Sequence, residues 1–179
     1  MLGNEIIVNP GINGPRGRLE SGTVDGTPKP GTCMQLKTAT AAVNGQFTWV
    51  VYNVASDGQP APVVVALRDD MRGRLASDAY VTANQIFLYW PVVGDELNML
   101  VDASLGDIAI GDKFQIDDGT GKLVAGFAQA DVAAGGVGSA ADIASTINDQ
   151  RRVLTFQALE AVTNPSVDTH VHCRCIANC

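Results

Sequence analysis

Lys113-Phe114-Gln115-Ile116-Asp117-Asp118-Gly119-Thr120-Gly121-Lys122-Leu123-Val124-Ala125-Gly126-Phe127-Ala128 carries the fold of this chain in miniature. Phe114 and Ile116 alternate with polar neighbours, five turn-forming residues follow, and Leu123, Ala125 and Phe127 alternate again. A period of two puts the apolar residues of each arm on one face of a pleated strand. The Asp/Gly/Thr cluster between them reverses the chain, so the stretch predicts a β-hairpin.

The same pattern of strand and turn recurs outward from it. Residues 62–67 and 85–93 are continuous apolar runs of strand length, and residues 97–101 follow the second across the turn Gly94-Asp95-Glu96. Such runs suit strands buried on both faces. Residues 32–36 and 47–54 are shorter extended segments; in the second, Phe47, Trp49, Val50 and Tyr52 favour a sheet surface. Two closing strands, at residues 153–162 and 169–176, are joined by Asn164-Pro165-Ser166. Helix is scarce: short helical turns are expected at residues 69–78, interrupted by Gly73, and at residues 140–148 behind a Ser139 cap. Residues 133–138 are small and Gly-rich and read as a loop. The expected fold is mainly β, a compact barrel or sandwich-like domain over residues 32–179. Ahead of it, residues 1–31 hold ten Gly and Pro between Pro10 and Gly31 and are expected to form an extended N-terminal arm.

Composition narrows the function. With 46% hydrophobic and 17% charged residues the chain is too apolar for disorder, and its 19 Gly and 8 Pro are too many for a helical bundle. A net charge of −7 and scattered basic residues argue against a nucleic-acid partner, whose phosphates require clustered Lys and Arg. The longest apolar run, residues 86–93, is far short of the roughly 18 residues of a membrane helix and contains Pro91. The first 15 residues lack the basic-then-apolar pattern of a secretory signal, so synthesis and retention in the cytoplasm are expected.

Three constellations invite chemistry. Gly119-Thr120-Gly121-Lys122 has the residues but not the spacing of a phosphate loop, and Lys122 opens a strand where a phosphate loop requires a helix. Asp107, Asp112, Asp117 and Asp118 fit no calcium loop and read as solvated turn carboxylates. The tail gathers His170, His172, Cys173, Cys175 and Cys179. On a strand, the two histidines share one face and Cys173 and Cys175 the other, which disfavours a single tetrahedral zinc ion. Inward-packed cysteines are the simplest reading. Disulfides remain open, either Cys33 with a tail cysteine or Cys175 with Cys179. A Cys-His nucleophile fails on the same alternation of faces. No catalytic residue, cofactor or metal is expected, and Trp49 and Trp90 read as core.

The segments Gly17-Arg18-Leu19-Glu20-Ser21-Gly22-Thr23-Val24, Lys29-Pro30-Gly31-Thr32 and Phe156-Gln157-Ala158-Leu159-Glu160-Ala161-Val162 resemble those of tailed-phage head decoration proteins. So do Gly45-Gln46-Phe47-Thr48-Trp49-Val50-Val51-Tyr52, Tyr89-Trp90-Pro91-Val92-Val93-Gly94-Asp95-Glu96-Leu97-Asn98, Gly111-Asp112-Lys113 and Asp117 to Leu123. This resemblance implies a mainly-β, usually homotrimeric cement protein on the outer surface of the virion, its partner the major capsid protein, with no enzymatic role. The candidate capsid contacts are the apolar residues of the arm, Ile6, Ile7, Val8 and Leu19. The rival expectation is a β-rich module of a virion or cell surface that binds a ligand or receptor through loops such as residues 133–140.

Overall fold

The computed structural model describes residues 7–9, 17–37, 46–53, 63–117, 119–125, 155–163 and 165–176. Over these the chain is mainly β. Eleven strands run in order as β1 (Ile7–Asn9), β2 (Arg18–Asp25), β3 (Cys33–Leu36), β4 (Thr48–Val51), β5 (Val64–Ala66), β6 (Gln85–Trp90), β7 (Glu96–Val101), β8 (Lys113–Ile116), β9 (Leu123–Ala125), β10 (Thr155–Ala158) and β11 (Thr169–Ile176). Single turns of 3-10 helix stand at Asp70–Arg72 and Ala103–Leu105. The helix expected at residues 140–148 lies outside the described residues, as does the loop at residues 133–138.

The strands close into two five-stranded barrels. In the first the order is β2-β4-β3-β5-β6, with β6 returning antiparallel to β2. In the second it is β7-β11-β10-β8-β9, closed where β9 meets β7 in parallel at Leu123 and Val101. The hairpin at residues 113–125 is present as the antiparallel pair β8–β9, with Phe114 opposite Ala125 and Ile116 opposite Leu123. The closing pair β10–β11 sets Phe156 against Cys175 and Ala158 against Cys173. Strand β1 stands outside the closed ring, added to β7 with Ile7 opposite Leu97.

Residues 18–25, expected in the arm, instead form β2, an integral stave of the first barrel with six residues paired to β6 and three to β4. Apolar alternation does not reveal β2, because its inward positions hold Glu20 and Gly22 beside Val24. The Glu20 carboxylate accepts a 2.6 Å hydrogen bond from the Trp90 indole. Gly22 leaves room for the Trp49 indole, which would lie 2.5 Å from an added Cβ.

Alternation divides the buried side chains into two layers. Val24, Met34, Trp49, Val64, Ala66, Ile86 and Leu88 fill the first barrel, where Trp49 and Trp90 meet edge to face at 6.2 Å. Their strand neighbours Cys33, Val65 and Tyr89 point outward and join the core of the second barrel, with Leu97, Met99, Phe114, Leu123, Phe156, Val171, Cys173 and Cys175. The apolar run of β5 is therefore buried on both faces, one serving each barrel. Backbone bonds fasten the seam: Cys33 N–H donates to Gly121 O (2.8 Å), Gly119 N–H to Tyr52 O (2.9 Å) and Leu100 N–H to Gly31 O (3.1 Å).

Candidate functional site

Three of the four residues proposed from sequence as contacts fall on described strands. Ile6 lies outside the described residues, while Ile7 and Val8 belong to β1 on the edge of β7. Leu19 pairs with Tyr89 and is 66% exposed on the outer face of the first barrel. The chain enters β2 across Tyr89, where Gly17 is required because a Cβ there would sit 2.2 Å from the Trp90 carbonyl oxygen and 2.4 Å from the Tyr89 ring. Gly17 N–H donates to Tyr89 Oη, which donates in turn to the buried Asp95 carboxylate at 2.7 Å. Asp95 also accepts from Val92 N–H and so shapes the tight β6–β7 turn that exposes Val93. Leu19, Val93 and β1 thus border one rigid turn. Val93 was missed from sequence because it ends an apolar run that otherwise reads as core.

The tail cluster divides by face. Val171, Cys173 and Cys175 point inward, while His170, His172 and Arg174 point out. Cys33 joins Cys173 and Cys175 in the same apolar layer, and all three are free thiols. Burial pushes the Cys175 thiol up to about 12, aided by the Asp95 carboxylate. It raises Cys173 and Cys33 as well, Cys33 with an added contribution from the other two sulfurs. These thiols are protonated at neutral pH, and the imidazoles lie across the strand from Cys173 and Cys175, so no thiolate nucleophile is assembled there. Among the described residues no three His, Cys, Asp or Glu side chains converge as metal ligands would. Cys179 lies outside the described residues.

Each outward histidine has its own role. The His170 ring N–H donates to the Pro30 carbonyl at 2.9 Å, linking β11 to the β2–β3 loop of the other barrel. Burial lowers its pKa, the Pro30 bond opposes that, and the nearby Lys29 charge adds to the lowering. His172 Nε2 stands 3.5 Å from Glu96, too far for a good hydrogen bond, while Arg174 pairs with the same carboxylate at 2.8 Å.

At the seam a shallow cleft of about 290 Å³ is lined by Lys29, Thr32, Val51, Leu100, Lys122 and Asp168, among others. The Lys122 ammonium is held by Asp168 (2.9 Å) and Asp102 (3.0 Å). Hydrogen bonds from Ser104, then Lys122, lower the Asp102 carboxyl to about 2; the two carboxylates, Asp168 first, raise the Lys122 pKa. Lys122 precedes strand β9 and is already doubly paired, so it is not the cation of a phosphate loop. The trio ties the β8–β9 turn to the start of β11. Its partners lie 20 and 46 positions away in sequence, too far for local spacing to reveal.

The chain matches no known protein-family model and no curated protein sequence.

Proposed function

We propose that this chain is a structural virion protein that binds the outer surface of a tailed-phage capsid, as a homotrimer, and stabilises the lattice of the major capsid protein. The resemblance of its turn and strand segments to head decoration proteins motivates the reading. The observation that supports it best is the β6–β7 end, where β1 adds a strand outside a closed barrel, Val93 exposes apolar surface on the turn and Leu19 exposes more on the neighbouring strand β2. A clamp across shell subunits needs a stiff body and a separate adhesive edge. Pairing through an added strand supplies backbone hydrogen bonds as well as apolar contact, and many copies multiply a modest contact into a stable coat.

The test is cosedimentation of the purified chain with undecorated capsids, followed by imaging. Saturable, symmetric binding that raises the melting temperature of the shell is the expected result. Removing residues 1–9, or changing Leu19→Glu, lowers occupancy while the barrels stay folded. The truncation must stop before Gly17, since β2 belongs to the first barrel. Absence of binding to any capsid lattice would overturn the proposal and favour a module that binds a ligand or receptor.

A further inference from the structure

The two rings are more alike than closure alone requires. Each is built from five consecutive strands, β2 to β6 in the first and β7 to β11 in the second. In both, the first strand pairs parallel with the third and antiparallel with the fifth. In both, the second strand pairs antiparallel with the third and the fourth, and the fourth with the fifth.

The register agrees as well. If Val24 of β2 is set on Val101 of β7, their parallel partners, Trp49 and Leu123, correspond. Opposite these stand Leu36 and Ile116, so Met34 falls on Phe114, and their partners in the next strand are Val64 and Phe156. One residue on, Val65 and Gln157 face Tyr89 and Arg174, which in turn face Leu19 and Glu96. Leu19 and Glu96 each lie five positions before the residue where the circuit began, so the match closes around the whole ring. A slip of one residue at any pairing would turn a stave's inward side chains outward and break it. Equal strand number and equal stagger give the two barrels one shape. Matched positions also share residues, Val24 with Val101, Gln35 with Gln115, Val50 with Val124 and Ala66 with Ala158, so the likeness is not confined to geometry.

The two units differ at the seam. The first barrel turns Cys33, Val65 and Tyr89, all buried, toward the second. The matching outer positions of the second barrel are Lys113, Gln157 and Arg174. Lys113 and Arg174 are exposed and Gln157 is half-buried; Arg174 is paired with Glu96, and Gln157 donates to Gly111 O at 3.3 Å. On the other side of the seam the second barrel presents Gly121, whose carbonyl accepts from Cys33 N–H, while the matching residue of the first barrel, Phe47, is 50% exposed. A face-to-end contact is thus made within the chain, although both units carry the positions for it. Head-to-tail contacts of this kind extend into rings or filaments unless a surface is closed to them.

We propose that strands β2–β6 and β7–β11 are two copies of one barrel unit joined in tandem, and that Lys113, Gln157 and Arg174 close the array. They keep the outer face of the second barrel from receiving the Phe47 end of another chain in the way the first barrel's face receives the Gly121 end. Covering them would dehydrate the Lys113 ammonium and the Arg174–Glu96 pair, which an apolar seam does not compensate. The inference does not depend on capsid binding.

Giving the second barrel seam-like residues tests it. Lys113→Ala, Gln157→Val and Arg174→Tyr are combined in the full chain, and mass is followed by sedimentation velocity over a concentration series. The triple variant should associate reversibly above the mass of the wild type. Adding Phe47→Asp should return it to the wild-type mass, whereas adding Val167→Asp, at an exposed apolar site in the β10–β11 loop, should not. Circular dichroism checks folding, and if the triple variant misfolds, Gln157→Val with Arg174→Tyr carries the same comparison. A mass equal to that of the wild type at every concentration would overturn the proposal, as would association that survives Phe47→Asp, the result a merely sticky surface gives.

Discussion

Replacing Gly121 by alanine tests the seam between the barrels more sharply than any truncation of the core. The new Cβ would lie 2.3 Å from the carbonyl oxygen of Cys33, 2.9 Å from Thr32 Cγ2 and 3.0 Å from Val51 Cγ1. The first of these is backbone and cannot swing aside, so the turn must withdraw from the first barrel. Withdrawal strains the bonds from Cys33 N–H to Gly121 O and from Gly119 N–H to Tyr52 O. Each costs about 1 kcal/mol if lost. The left-handed backbone at φ +63° adds about 1–2 kcal/mol for any residue with a Cβ. The expected destabilisation is about 4 kcal/mol, a fall in Tm of roughly 8–16 °C for a chain of this size. Gly119→Ala is the matched control. It shares a positive φ, +101°, but meets nothing within 4 Å, so only backbone strain of about 2 kcal/mol applies. Urea and thermal unfolding followed by circular dichroism measure both. If Gly121→Ala proves no more destabilising than Gly119→Ala, the seam is not the close backbone contact described here.

Three further outcomes follow from the buried and paired groups. His170 has its pKa lowered by burial from an ordinary value of 6.5, so above that pH neither state is protonated and stability is full. As pH falls below it the unfolded chain takes up a proton that the folded ring resists, and stability declines; His170→Gln should flatten urea-midpoint profiles between about pH 7 and 5. Asp102, lowered to about 2, contributes stability that is present above its unfolded pKa of 3.8 and lost as pH falls through about 2. Lys122→Met should raise its titration midpoint by carboxyl NMR and, because the pair is partly solvated, cost no more than about 1 kcal/mol at neutral pH. Both tryptophans lie in the first barrel and Cys173 and Cys175 in the second; in a Cys33→Ala/Cys179→Ser background, thiol labelling and tryptophan fluorescence should report one shared denaturation midpoint, and two separated midpoints would refute a common core.

Much of the strand pattern was legible because local chemistry and burial agree. The 113–125 hairpin and the closing β10–β11 pair combine apolar runs or alternation with turn residues, and each appears as an antiparallel pair; the β6–β7 turn is present too, but its two strands enter different barrels. The run Val63 to Ala66 announced burial on both faces but not what covers each, since that depends on strands far away in sequence. Strand β2 escaped notice because two of its inward positions serve the tryptophans instead of contributing apolar bulk. The parallel pairings β2–β4 and β7–β9 have no sequence marker at all. Within the tail cluster, alternation separated histidines from cysteines, but only strand order brings Cys33 to Cys173 and Cys175.

Closure of the two rings decides how much strand edge stays free. In each ring every strand is flanked on both sides, which leaves little free edge for another chain to pair with. The seam uses the outer face that carries Cys33, Val65 and Tyr89, so separating the barrels would expose a continuous apolar row. That row makes the two barrels mutually dependent and removes their largest apolar surface from contact with partners. Among the described residues, the features outside the rings include β1 on the edge of β7, the β6–β7 turn with Val93, and the fastened loop that presents Met71. The β6–β7 turn and the 68–81 loop are well bonded, so a partner that met them would find surfaces already held in place, and contact energy would not be spent on ordering them.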